Sequence, residues 1–272
     1  MYSENFKALL AEAQFVSDIL GTGLTHLGRV NYAKRGYYFT ALTTLSTGIE
    51  RIGKICYLID FYLNHDFTFP DSRTLRNDIG HDIEKLYDFS KEIVTRNNVK
   101  FSYLENLDTG IYPKILKILS KFAKGDRYTN IDFLTNDRYQ SSPIADWYNE
   151  IEVYIFQNNV SEKKKEKIQR DADLAKLLLG NSSSTFYIDE TGTPLEDIGI
   201  SSFRTGMAEV NTIYRQLYMA QIIRYWVEIL SELQNKAHSE KNRDIPFLSE
   251  VFTLYYNDDN YLKTRRNFEK IR

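Results

Sequence analysis

Apolar residues recur at three- and four-residue spacing through long stretches of the chain, and strand-like alternation is rare. That is the pattern of amphipathic helices packed on one another. The clearest case lies between Asn31 and Asn64, where Leu42, Leu45, Ile49, Ile52, Cys56, Ile59 and Leu63 form one continuous apolar stripe. An earlier helix is predicted from Ser3, a ready N-cap, to Leu20, with Gly21 and Gly23 ending it. Pro70 interrupts the pattern, and Asp71-Ser72 supplies a new cap. A short helix or turn over Arg73–Asp78 then leads into a helix from about His81 to Thr95, closed by the polar turn Arg96-Asn97-Asn98. Further helices are predicted over Tyr112–Lys124, Pro143–Leu179, Phe203–Lys236 and Pro246–Tyr256. The least helical stretch, Gly180–Ser201, reads as a small hairpin or an ordered surface loop. The predicted fold class is therefore all-α: a helical bundle over residues 1–135, with a helical extension over 136–272 packed on it.

Composition narrows the class. With 42% hydrophobic and 26% charged residues the chain is ordinary globular material, and a formal net charge of −2 excludes a uniformly basic nucleic-acid binder, so any RNA contact is local. The single cysteine, Cys56, has no intrachain disulfide partner and lies in the apolar run Ile55–Ile59, where a buried thiol is inert. No apolar run approaches the ~20 residues of a membrane span, and the first residues lack a basic signal-peptide region. These features fit a soluble cytoplasmic protein. The Lys163–Lys167 run reads as a solvated face, the clusters Tyr37-Tyr38-Phe39 and Tyr255-Tyr256 must split between core and surface, and the basic end Lys263–Arg272 reads as a solvated or frayed tail.

Phosphate-binding glycine loops, paired histidines, Cys/His clusters and nucleophile elbows are all missing from the sequence, so no cofactor or metal is predicted. What carries chemistry is Leu75-Arg76-Asn77-Asp78-Ile79-Gly80-His81-Asp82. Five positions along an unbroken α-helix turn a side chain by about 140°, so Arg76 and His81 need the break that Gly80 offers. A helix starting near His81 would hold the imidazole at its positive end, where the dipole favours the neutral base. Arg76, folded back, would supply a guanidinium to hold a phosphate while the imidazole moves a proton, the combination that phosphodiester cleavage needs. A plainer account fits the same residues: Arg76 in a surface ion pair with Asp71, Asp78 or Glu84, His81 as a capping histidine, and Glu50 and Lys54 as an i,i+4 helix pair.

The motif and its setting resemble the HEPN superfamily, whose nucleases carry an arginine, a polar residue directly after it, and a histidine separated from the arginine by four to six residues. Arg76-Asn77 and His81 meet that pattern, the upstream run Ser46–Lys54 is similar to the family's helix bearing Glu50 and Lys54, and Gly80-His81-Asp82-Ile83-Glu84-Lys85-Leu86 is a common form of the following region. The resemblance covers about Asn31 to Thr95. It implies a four- or five-helix bundle, a homodimer with two motifs facing one cleft, and metal-independent cleavage of RNA. In those terms Arg76 and His81 are the catalytic residues, with Arg76 on the phosphate and His81 as acid–base group. Asn77, Asp78 and Glu50 support them, Glu50 by holding Arg76, and Lys54, Arg51 and Arg73 would lie along the RNA. The biological setting implied is a toxin or phage-defence effector with an antitoxin or other regulatory partner. One departure is that the tyrosine some relatives carry two residues after the histidine, an acceptor for nucleotide transfer, is here Ile83, with Tyr87 a turn farther on. The competing expectation is a non-catalytic dimeric module that binds nucleotide, RNA or protein.

Overall fold

The computed structural model describes residues 2–71, 73, 79–125, 134–135, 142–180, 182 and 185–269. Over these it is an all-α bundle with one two-stranded hairpin. Helices α1 (Glu4–Leu27) and α2 (Arg35–Asn64) form an antiparallel pair joined through a 3-10 turn at Tyr32–Lys34. Ser3 caps α1 as predicted, accepting from Phe6 N. The helix does not stop at Gly21 and Gly23 but runs through both. These glycines are points of close approach: a Cβ at Gly21 would stand 2.5 Å from the Phe268 carbonyl oxygen, and one at Gly23 would stand 2.7 Å from the Leu45 side chain. The α2 stripe from Leu42 to Ile59 is buried.

Helices α3 (Ile83–Asn97) and α4 (Tyr112–Lys124) pack on α2. Asn98 closes α3 in the left-handed conformation. The helix predicted over Pro143–Leu179 is two helices. The first, α5, spans 143–159 and carries a π turn at Tyr148–Glu152; the chain then extends at Val160, and Ser161 starts α6 (Glu162–Leu179). The stretch after α6 contains the expected hairpin, β1 (Tyr187–Ile188) antiparallel to β2 (Pro194–Leu195), with Tyr187 opposite Leu195. The next helix starts earlier than expected, because Asp197 accepts from Ile200 N and caps it.

That helix, α7 (Ile198–Ser239), is 42 residues long, about 63 Å at 1.5 Å per residue. Its middle is buried on every side: Met219, Ala220, Ile222, Ile223, Trp226, Val227, Ile229 and Leu230 are wholly inaccessible. A helix apolar all round forms the centre of a core, and α7 contacts α1, α2, α3 and α4 along that stretch. No described helix is long and apolar enough to cross a membrane. Beyond α7 lie α8 (Leu248–Val251), a 3-10 turn at Thr253–Tyr255, and α9 (Asp259–Thr264). The end of the chain is docked, not frayed, as far as it is described: Phe268 is buried and its N–H donates to Thr25 Oγ1 at 2.9 Å. The aromatic clusters split as expected, with Tyr38 and Tyr255 buried and Phe39 and Tyr256 exposed. Lys163, Lys164 and Lys167 are exposed along α6.

Buried charge accompanies the buried helix. Arg215 of α7 has no solvent exposure, lies 3.3 Å from Glu152 Oε2 and donates to the Val30 and Ala208 carbonyls. Glu152, on the π turn of α5, also accepts from Trp147 Nε1 and Asn211 Nδ2, each at 2.9 Å. Removing one member of such a pair leaves the other charge uncompensated, which costs about 3–5 kcal/mol. Arg215→Ala is therefore expected to lower unfolding free energy by about that amount, read from the urea midpoint. The double variant Arg215→Met/Glu152→Gln should recover a substantial part of it. A loss below about 1 kcal/mol in the single variant would show that Arg215 does not organise this region.

Candidate functional site

The chain reaches the site through two buried anchors. Ile79 and Ile83 are both buried, and Gly80 between them takes φ +60°, a left-handed turn that favours glycine. His81 is thereby held out from the surface, with its side chain 73% exposed. α3 begins two residues later than expected: Asp82 is its N-cap, accepting from Lys85 N, so His81 precedes the helix instead of starting it.

The partner of His81 is Glu50. Nδ1 lies 3.1 Å from each Glu50 carboxylate oxygen, and Lys54 Nζ reaches Oε1 at 2.6 Å. A carboxylate is acceptor-only, so Nδ1 carries the hydrogen and Nε2 is the nitrogen left without a described partner. Glu50 is 13% exposed, so the imidazole is anchored at one nitrogen by a largely buried group and open at the other. The close approach of α3 to α2 permits this arrangement. At Gly53 a Cβ would collide with the Leu86 side chain and lie 3.2 Å from Trp226.

A second tie fixes the start of α3 to α4. Ser120 Oγ donates to Asp82 Oδ1 at 3.0 Å and accepts from Ile83 N at 3.1 Å, and Lys124 ion-pairs with Asp82 Oδ2. Burial pushes the Asp82 carboxyl up, but hydrogen bonds from Lys124, the Lys85 N–H and Ser120 outweigh it, so the group titrates below the usual carboxylate range.

The remaining predicted residues separate into three groups. Arg76, Asn77 and Asp78 lie outside the described residues. Lys54 and Arg51 are already engaged: Lys54 with Glu50, and Arg51 with Glu12 of α1 at 2.6 Å, its guanidinium 4.9 Å from the centre of the Phe15 ring. Arg73 is exposed, and its N–H donates to Asp71 Oδ1. The described partners of Glu50 are thus His81 and Lys54. Tyr87 is buried, and its hydroxyl accepts from Leu107 N at 2.6 Å. Cys56 is buried, its thiol pushed well above the ordinary range, as expected of an inert thiol.

The supporting residues that sequence reasoning missed are Asp82, Ser120 and Lys124. Ser120 carries a readable signal, since it interrupts the apolar stripe Ile115, Leu116, Ile118, Leu119 and Phe122 of α4 while being fully buried. No family model, curated protein or solved structure matches the chain.

Asp82→Ala removes both the cap and the bridge to α4, and is expected to cost about 0.5–2 kcal/mol at pH 7. Because the folded carboxyl titrates below its unfolded value of about 3.9, its stabilisation is complete above that pH and is lost as pH falls through the folded value. The difference in urea midpoint between wild type and Asp82→Ala should therefore shrink between pH 5 and pH 3. An undiminished difference at the lower pH would refute the charged role.

Proposed function

We propose that this chain is a metal-independent endoribonuclease of the HEPN type, with His81 as its acid–base residue and Arg76 as its phosphate-binding residue. The observation that supports the reading best is the contact of Glu50 with His81 Nδ1, which leaves Nε2 free and outward. A general base needs one such nitrogen, fixed in tautomer and accessible to the proton it takes. In the proposed reaction Nε2 removes the proton of a ribose 2′-hydroxyl. The O2′ lone pair then forms a bond to the adjacent phosphorus, the P–O5′ bond breaks, and the departing O5′ takes the Nε2 proton of the partner's His81, which enters the step as the imidazolium and leaves it neutral, in a dimer-shared cleft. The products are a 2′,3′-cyclic phosphate and a 5′-hydroxyl end. Glu50 is a positioning residue and touches no reacting atom. A role as toxin or defence effector under a regulatory partner belongs to the same proposal.

A second reading, a non-catalytic dimeric module for nucleotide, RNA or protein, has its own support. Two of the three cations expected along the RNA, Lys54 and Arg51, are neutralised by Glu50 and Glu12.

The test is cleavage of a mixed RNA pool in EDTA by folded wild type and variants. His81→Ala is expected to lower the rate by about 10²–10⁴-fold, the usual worth of a general acid–base group, and Arg76→Ala should also abolish cleavage. Glu50→Gln should lower it less and alter the pH profile, with partial return in Glu50→Asp. Cleavage that survives His81→Ala would overturn the proposal, and RNA binding without cleavage would favour the second reading.

A further inference from the structure

A cleft of about 840 Å³ lies away from His81 between the start of α1 and the turn that follows α7. Tyr62, which reaches toward the cleft, is twelve residues along α2 from Glu50, or about 18 Å. Its walls are three aromatic side chains, Tyr2, Phe6 and Phe247, with His238, Lys241 and Arg243. Tyr2 and Phe6 are stacked, with centroids 4.2 Å apart and planes within 9°, and Tyr2 remains 68% exposed. On the other side Phe247 is 58% exposed and packs on His238 at 4.2 Å.

Both cations are held at the rim without partners. Lys241 and Arg243 have no ion pair or side-chain hydrogen bond among the described residues. Lys241 takes φ +58°, a left-handed conformation costly for a lysine, with its N–H on the His238 carbonyl and the Asn242 N–H on the Ala237 carbonyl. The one carboxylate in the cleft is already engaged: Asp244 Oδ2 accepts from Tyr62 Oη at 2.8 Å and from Asn5 Nδ2 at 3.4 Å. Tyr62 in turn accepts from Asn242 Nδ2, which fixes the floor of the cleft.

We infer that this cleft binds a nucleotide, its base continuing the Tyr2–Phe6 stack and its phosphate lying between Lys241 and Arg243. Exposed ring faces in a concave site match a planar π system, which stacks at low entropic cost, and two unpaired cations beside them require that the ligand be anionic. A volume near 840 Å³ accommodates a base, a ribose and phosphate groups. The same chemistry is carried by a free nucleotide and by a nucleotide unit of a single RNA strand. The inference stands independently of any reaction at His81.

The test is equilibrium binding by the full chain of AMP, ATP, inorganic phosphate and a 5′-phosphorylated oligoadenylate, by calorimetry at low and high salt. Wild type is expected to bind AMP or the oligonucleotide saturably, at least tenfold more tightly than inorganic phosphate, with affinity falling as salt rises. Lys241→Gly, which removes the charge and relieves the left-handed backbone, should weaken binding about tenfold without loss of stability, as should Arg243→Ala; Tyr2→Ala should weaken AMP but not phosphate. Binding of AMP would assign the free nucleotide, and binding of the oligonucleotide alone would assign the strand. Absence of saturable binding of both, or affinities unchanged in all three variants, would overturn the inference.

Discussion

The structure depends on a long helix that is buried on all sides yet carries polar and charged side chains into the core. Burial of an unpaired polar group costs free energy that the fold must recover, so each such group needs a partner. Along α7 the partners come from other elements in turn. Arg215 takes Glu152 and the Val30 carbonyl, Gln216 the Leu24 carbonyl, Gln221 and Arg224 the carboxylate of Asp259, Glu228 the N–H of Ser102, and Gln234 both the hydroxyl and the N–H of Ser249. These contacts fix irregular segments that have little apolar surface of their own: the α1–α2 link, the loop after α3 and the turns beyond α7. Hydrophobic burial supplies most of the driving force, while the polar spine selects which loop lies where.

The local elements whose signals are complete within a few residues were legible in the sequence. Ser3 as a cap, the α2 stripe, the span of α4 and the hairpin after Gly180 follow from periodicity, capping chemistry and glycine content. What was not legible depends on a distant neighbour. Gly21 and Gly23 look like a helix end, but they remain helical because the C-terminal segment and α2 press against them. The division of the long predicted helix at Val160-Ser161 had a local signal, a serine before Glu162, that the continuing apolar pattern masked. The basic end of the chain reads as solvated, yet Phe268 finds a buried place against Thr25.

The candidate site shows the same division. The sequence marked His81 and Glu50 as members of one constellation without pairing them; it expected Glu50 to hold Arg76, which lies outside the described residues, and the contact of Glu50 with His81 is the part it did not foresee. Spacing along a chain gives no ranking among possible partners of one carboxylate. The His81–Glu50 contact is positioned by the Gly53 contact, which brings α3 close to α2, and by the Asp82–Ser120–Lys124 tie, which fixes where α3 starts. Both are relations between helices, and neither has a one-dimensional signature beyond a buried serine in an apolar stripe.

The exposure of His81 constrains what this site can do. Water at the ring weakens every electrostatic contact there and competes for Nε2, whereas efficient proton transfer to a phosphodiester depends on preorganised groups with solvent excluded. The described surface supplies the anchor at Nδ1 but leaves the other face of the imidazole uncovered. In the proposed reaction, exclusion of water at His81 would come from groups beyond the described residues, such as the RNA itself or another protomer bringing its own histidine and arginine. A covering protomer would exclude water and add charge in one step. If the proposed nuclease reading holds, assembly and chemistry are coupled at His81, because the described residues of one protomer leave its ring open to water.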